Sequence, residues 1–196
     1  MSALAAEPQP DQGNGWDDLV RRWESMDRPE GCKVEIIEGI ITVAPTPSAR
    51  HNNIAYRVLR RLAAAIPEEW GVYQTQSIAV PARMSAFIPD LLVAPLSDVD
   101  GPSHLIPAAV GELVVEVTSP SNASTDRITK AAGYAEAGVP LYLLIDRHAP
   151  GGPTVTLYGE PKAGVYRVLR AVPFGEEIHL PAPFGLTLDT AEFPVT

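Results

Sequence analysis

The chain has little that would cross-link it or carry it into a membrane. Its one cysteine, Cys32, cannot close an internal disulfide, so the fold must rest on packing. No apolar run approaches the ~20 residues that a membrane-spanning helix needs, so no membrane partner is expected. The first residues lack a basic start followed by an apolar stretch; no secretory signal is read, and the cytoplasm is the expected location. Positive charge is scarce as well: 15 Lys and Arg against 24 Asp and Glu leave a net charge of −9. Nucleic-acid binders usually carry a basic footprint. The one clear candidate here is residues 50–61, which hold Arg50, Arg57, Arg60 and Arg61 and no acid. A Gly-rich phosphate loop, a Gly-x-Ser-x-Gly elbow and a dinucleotide fingerprint are all missing. His104, His148 and His179 lack spaced partners, so no zinc site is supported.

What is present suits a globular α/β protein. The 196 residues, 45% hydrophobic and 20% charged, can bury a real core. Residues 1–15 are small, polar and contain Pro and Gly, and are expected to form a disordered tail; residues 16–196 are expected to form a single domain. Trp16, Leu19, Val20 and Trp23 predict a short amphipathic helix over 16–26. Residues 33–43 read as a β-hairpin turning at Glu38-Gly39. Ser48 is placed to cap a helix running to about Ile66, with Ile54, Val58, Leu62 and Ile66 as its core stripe.

Strands are predicted at about 71–80, 87–94, 112–118 and 141–145, with a loop over 95–111 and a second helix over 125–137 closed by Gly138. Short β segments follow at 154–158, 165–172 and 176–180. This order describes a mixed central β-sheet flanked by helices, with additional C-terminal β-hairpins.

Two carboxylates sit where carboxylates are rare. Asp90 follows Pro89 and leads into Leu91-Leu92-Val93-Ala94, and Glu116 lies inside Leu113-Val114-Val115-Glu116-Val117. Acids in such apolar strands are usually paired or bound to a metal. A pair of them on neighbouring strands suits a hard divalent cation such as Mg²⁺ or Mn²⁺. Lys130 follows Glu116 by fourteen residues, in the next helix, from where it can point back at the acids. Such an ion activates water and offsets charge on a phosphate, and a lysine beside it can orient the attacking water. Glu35, in the first hairpin, is a candidate third acid.

The ordered set of motifs resembles a known family. Val34-Glu35-Ile36-Ile37-Glu38-Gly39, Ser48-Ala49-Arg50-His51, Ile88-Pro89-Asp90-Leu91, Val114-Val115-Glu116-Val117-Thr118-Ser119-Pro120-Ser121, Asp126 to Lys130, and Tyr134 to Pro140 are similar to the Uma2 family, also called DUF820, over roughly residues 30–160. The resemblance implies a restriction-endonuclease-like fold of the PD-(D/E)xK superfamily and a Mg²⁺-dependent nuclease. It implies Asp90 and Glu116 as metal ligands, with the Val117 carbonyl as a further one, and Lys130, Glu35, Asp90 and Glu116 as the catalytic set. In the parent signature a lysine stands two residues after the glutamate. Here that residue is Thr118, and the Uma2 pattern moves the lysine to Lys130. Arg50, His51, Arg57 and Arg61 are candidates for nucleic-acid contact, DNA being the expected polymer, and nucleases of this fold often work as homodimers.

Blander readings stand beside these. Asp90 is also open to reading as a strand-entry residue, Glu116 as a solvent-facing residue of an edge strand, and Lys130 as a surface partner of Asp126. Glu35 is equally a cross-hairpin partner, His51 a general base or a helix-surface residue, and Tyr134 a packing residue. For function as a whole, the alternative is a non-catalytic interaction or regulatory module on a nuclease-like scaffold, favoured by the −9 charge. A glycoside hydrolase using the acid pair is a weaker third reading.

Overall fold

Glu38 and Gly39 both adopt positive φ, 47° and 84°, the conformation a two-residue hairpin turn demands. They join β1 (Cys32–Ile37) to β2 (Ile40–Pro45) with Ile37 opposite Ile40, as the sequence predicts. This computed structural model describes residues 15–194. The tail expected over 1–15 lies outside them except for Gly15, which opens α1 (Gly15–Glu24). Trp23 of α1 is buried against β1, and its indole N–H donates to the Val34 carbonyl at 2.8 Å.

Ser48 caps α2 (Ala49–Ala63), its hydroxyl accepting from the His51 amide. Ile54, Ala55, Val58 and Leu62 form the buried stripe, but the helix ends at Ala63, so Ile66 packs from the following turn. The single strand expected over 71–80 is two: β3 (Trp70–Tyr73) and β4 (Ser77–Val80), which belong to different sheets. The chain crosses between them at Gln74–Gln76, where Thr75 takes φ 61°. The strand expected over 87–94 is likewise divided, into β5 (Ser85–Phe87) and β6 (Leu91–Pro95). Pro89, which has no N–H for a ladder, sits in the break. The loop expected over 95–111 contains a helical turn, α3 (Leu96–Val99), and a short strand, β7 (Leu105–Pro107).

Further on come β8 (Leu113–Val117), a π-helical stretch Thr125–Lys130 that runs into α4 (Ala131–Glu136), and β9 (Leu141–Asp146). The predicted second helix is therefore present, but its first half is not α-helical. Gly138 follows α4 at φ 79°, as a helix-terminating glycine should. The C-terminal part holds β10 (Thr154–Lys162), β11 (Val165–Pro173), β12 (Glu177–Leu180) and β13 (Leu186–Asp189). The last of these has no counterpart in the sequence reading.

One sheet has six strands in the order β11-β10-β9-β8-β6-β3, antiparallel except for the parallel β8–β9 pair. A second has five, β2-β1-β5-β4-β7, and β12–β13 form a small third. The six-stranded sheet is covered on both faces. Leu113, Val115 and Val117 of β8 pack with α2 and the C-terminal strands. Val114 points the other way, into a core shared with Phe87 and with Tyr134 of α4. Among the described residues, no helix is long and apolar enough to cross a membrane.

The closest packing in this second core is at Gly133 of α4, where an added Cβ would come within 2.6 Å of the Phe87 ring. Gly133→Ala is therefore expected to destabilise the protein by about 1–3 kcal/mol through overpacking, despite the gain in helix propensity. Gly101→Ala, where nothing lies within 4 Å, should be neutral. Urea unfolding midpoints of the two variants check this.

Candidate functional site

Strand pairing brings the two carboxylates together. Leu91 of β6 lies opposite Val115 of β8, so one step further along the register sets Asp90 against Glu116. Because side chains alternate along β8, Glu116 shares the face of Val114, which is not solvent but the layer formed by α4 and the five-stranded sheet. Glu116 is accordingly 0% exposed, in a central strand, and the edge-strand reading fails.

Lys130 meets Glu116 from the π-helical stretch, a rare geometry that often marks functional sites. Its ammonium donates to Glu116 Oε1 at 3.0 Å, lies 2.9 Å from Glu35 Oε1 and is 3.5 Å from Asp126 Oδ1. The ammonium is only 1% exposed, so this is a buried network rather than a surface pair with Asp126. Glu35 does not pair across its hairpin; its Oε1 also accepts the Ile88 amide at 2.7 Å. Tyr134, one turn beyond Lys130, both packs and donates its hydroxyl to Glu116 Oε1 at 2.6 Å.

Asp90 is held by a different set. Its Oδ2 accepts from the Val117 amide at 2.8 Å and from His51 Nε2 at 3.0 Å, and Lys33 Nζ donates to its Oδ1 at 3.3 Å and to the Ile88 carbonyl at 2.9 Å. His51 is 3% exposed and does not lie on the outer arginine face of α2. Arg57 is ion-paired with Glu192, and Arg61 donates to the Thr187 carbonyl at 3.1 Å, so both are engaged by the C-terminal segment. Arg50 is exposed on the first turn of α2. Thr118, where the parent signature has its lysine, is buried; its hydroxyl donates to Asp146 Oδ1 at 3.0 Å and accepts the Arg147 amide at 3.0 Å. Arg127 grips the same Asp146 carboxylate with two N–H groups, at 2.6 and 2.9 Å.

Lys33 and Asp126 were not singled out as site residues by sequence reasoning. A signal for each was there. Lys33 shares a strand face with Glu35, two residues on, and Asp126 precedes Lys130 by four. Of the three lysines in the chain, Lys33, Lys130 and Lys162, two stand among these acids. The Asp146 clamp carried no such signal, because its members are scattered over three elements.

Protonation in the cluster follows from burial set against neighbouring charge. Burial alone would raise the Asp90 carboxyl, but the His51 hydrogen bond, the Lys33 charge and the Val117 amide outweigh it and hold the group at about 2. Burial pushes Glu116 up, against the opposing pull of Lys130. Asp126 is pushed up to about 8, by burial first and by the charge of Glu116 next. Burial would lower Lys130, yet Glu116, Glu35 and Asp126 together raise it well above its ordinary value, so its charge is secure.

The donors suit a hard cation. Glu116 Oε2 is buried without a hydrogen-bond partner, a costly state that a cation would relieve. Among the described residues no three His, Cys, Asp or Glu side chains converge into a ready cage.

Asp126 also sets an alkaline limit on stability. Its carboxyl titrates near 8 in the folded protein against 3.8 in the unfolded chain, so stability is full below pH 3.8 and is lost as pH rises toward 8. Asp90 works in the opposite direction and costs stability only as pH falls from 3.8 toward about 2. Asp126→Asn, which cannot ionise, should gain on the wild type between about pH 4 and pH 8, by up to a few kcal/mol. Urea unfolding across that range checks this.

The Uma2 family, described as "Putative restriction endonuclease", matches residues 16–191. A crystal structure described as a putative nuclease belonging to DUF820, from Anabaena variabilis ATCC 29413, is similar to this chain with a TM-score of 0.69. That similarity covers 91% of this chain and 96% of the other at 18% identity, a level that speaks for the fold. No curated protein matches. With nearly its whole length matched, and with the mixed α/β architecture of that nuclease structure, the chain belongs to the Uma2 family.

Proposed function

We propose that this chain is a metal-dependent endonuclease that hydrolyses phosphodiester bonds of nucleic acid, with DNA as the substrate, and that residues 16–196 act as one nuclease domain. The observation that carries this reading is that Asp90, just ahead of β6, accepts from the Val117 amide next to Glu116, while the Lys130 ammonium lies 3.0 Å from Glu116. Asp90 and Glu116, with the Val117 carbonyl as a further ligand, would hold Mg²⁺ or Mn²⁺. Such an ion, when bound, lowers the pKa of water and offsets charge on the phosphate.

The protein's own groups do the rest. Lys33, His51 and the Val117 amide keep Asp90 ionised and oriented. Tyr134 fixes one oxygen of Glu116 and leaves the other free of hydrogen bonds. Lys130, kept charged by three acids, steadies negative charge or a water near Glu35. A cleft of about 670 Å³, bordered by Arg28, Lys33, His51, Tyr56 and Asp90, gives a substrate room beside Asp90. Arg50, Arg57 and Arg61 are the proposed polymer contacts. A homodimer that pools them would offset the net charge of −9.

The second reading, a non-catalytic interaction module, is favoured by the same buried pairs, since both lysines already neutralise carboxylates. Cleavage of plasmid and single-stranded DNA with Mg²⁺ separates the two readings. Asp90→Asn and Lys130→Met should each lower the rate by about 100-fold or more. Equal cleavage by wild type and both variants would assign the activity to a contaminant and leave the module. Calorimetric titration with Mn²⁺ should show Asp90→Asn binding at least about tenfold more weakly.

A further inference from the structure

Arg147 follows the end of β9, and its backbone amide is fixed by the Thr118 hydroxyl at 3.0 Å. Its guanidinium makes no ion pair among the described residues, and neither does that of Arg50. Arg147 Nε is buried without a hydrogen-bond partner. In a protein of net charge −9, a guanidinium with a buried, unpartnered N–H and no ion pair among the described residues is unexpected. Burial first, and the charge of Arg50 second, lower the Arg147 pKa, which marks the pair as mutually repulsive. An anion beside Arg147 would give that N–H a partner.

The place for such an anion exists. Arg147 lines a cleft of about 250 Å³ together with Lys33, Ser48, His51, Ser119 and Ser121. Ser48 is the N-cap of the fifteen-residue α2, so the positive end of that helix faces the same space. Glu35 and Lys33 border the cleft as well, so it adjoins the acid cluster.

We infer that this cleft is a subsite for a backbone phosphate of the nucleic acid next to the one that is cut, held by Arg147 and the N-terminus of α2. The inference rests on the nuclease reading above and adds Arg147 to its substrate contacts. A backbone phosphate carries no base identity, so the subsite strengthens binding without selecting sequence.

Fluorescence anisotropy with two short labelled DNA duplexes of unrelated sequence, with Ca²⁺ as the divalent ion, tests it. Arg147→Gln should weaken both duplexes about fivefold or more, by the same factor, and lower the slope of log affinity against log salt by about one. Arg147→Lys, which keeps the charge but loses the buried Nε donor, should weaken both duplexes by about twofold or more while keeping the salt slope, and carries the test if Arg147→Gln melts early by circular dichroism. Arg167→Gln, which removes a guanidinium paired with Glu160 far along the chain, should change neither quantity.

Wild-type binding with unchanged affinity and slope in both Arg147 variants overturns the subsite and leaves the nuclease reading intact. Calorimetry with inorganic phosphate is the second arm. Phosphate binding that depends on Arg147, while duplex binding does not, overturns the backbone assignment in favour of a free-anion site. A wild-type protein that neither binds nor cleaves the duplexes overturns both readings.

Discussion

A single ammonium, that of Lys130, offsets the acidic charge buried in the interior of this protein. Glu35 comes from the hairpin and Glu116 from a central strand, and an ionised carboxylate at either place would be uncompensated without it; Asp126, from the helix, stays protonated below about pH 8. Taking one charge out of water costs several kcal/mol unless a partner repays it. The π-helical stretch, the five-stranded sheet and the six-stranded sheet are therefore tied at one point by charge as well as by packing. Phe87, whose ring lies beside the Lys130 ammonium, belongs to the apolar core that excludes water from this point.

The site is divided by solvent access. Glu116, Lys130 and Asp126 lie in the dry interior, while Asp90, Lys33, Glu35 and His51 border the two clefts. A dry side strengthens every charge interaction within it, and a wet side admits water and substrate. Asp90 belongs to both sides. One of its oxygens is locked by the Val117 amide and His51, and the other is reached by a half-buried lysine.

Much of this was legible in the sequence because it obeys local rules. The Glu38-Gly39 turn, the Ser48 cap and the Gly138 stop are short-range chemistry, and they occur where expected. The apolar alternation of β8 revealed Glu116 as an anomaly, but not that its other face was covered, since that cover comes from elements distant in the chain. For the same reason the strands expected over 71–80 and 87–94 looked continuous: nothing in the local pattern says that a chain changes sheets. The buried place of His51 and the Asp146 clamp were hidden too, because both depend on long-range contacts that no spacing encodes.

With Thr118 standing where the parent signature has its lysine, the amine that meets Glu116 is aimed in a different way. A lysine on the strand beside its glutamate would have its direction set by the pleat, where a slip of one residue turns a side chain to the opposite face. Lys130 is instead aimed by the π-helical winding of Thr125–Lys130, where one residue more or fewer swings a side chain part of a turn around the axis. Acids and amine thus sit on separately indexed frames. The Arg127–Asp146–Thr118 clamp is the latch between them, binding the helical frame to the strand ends so that the two cannot drift out of phase.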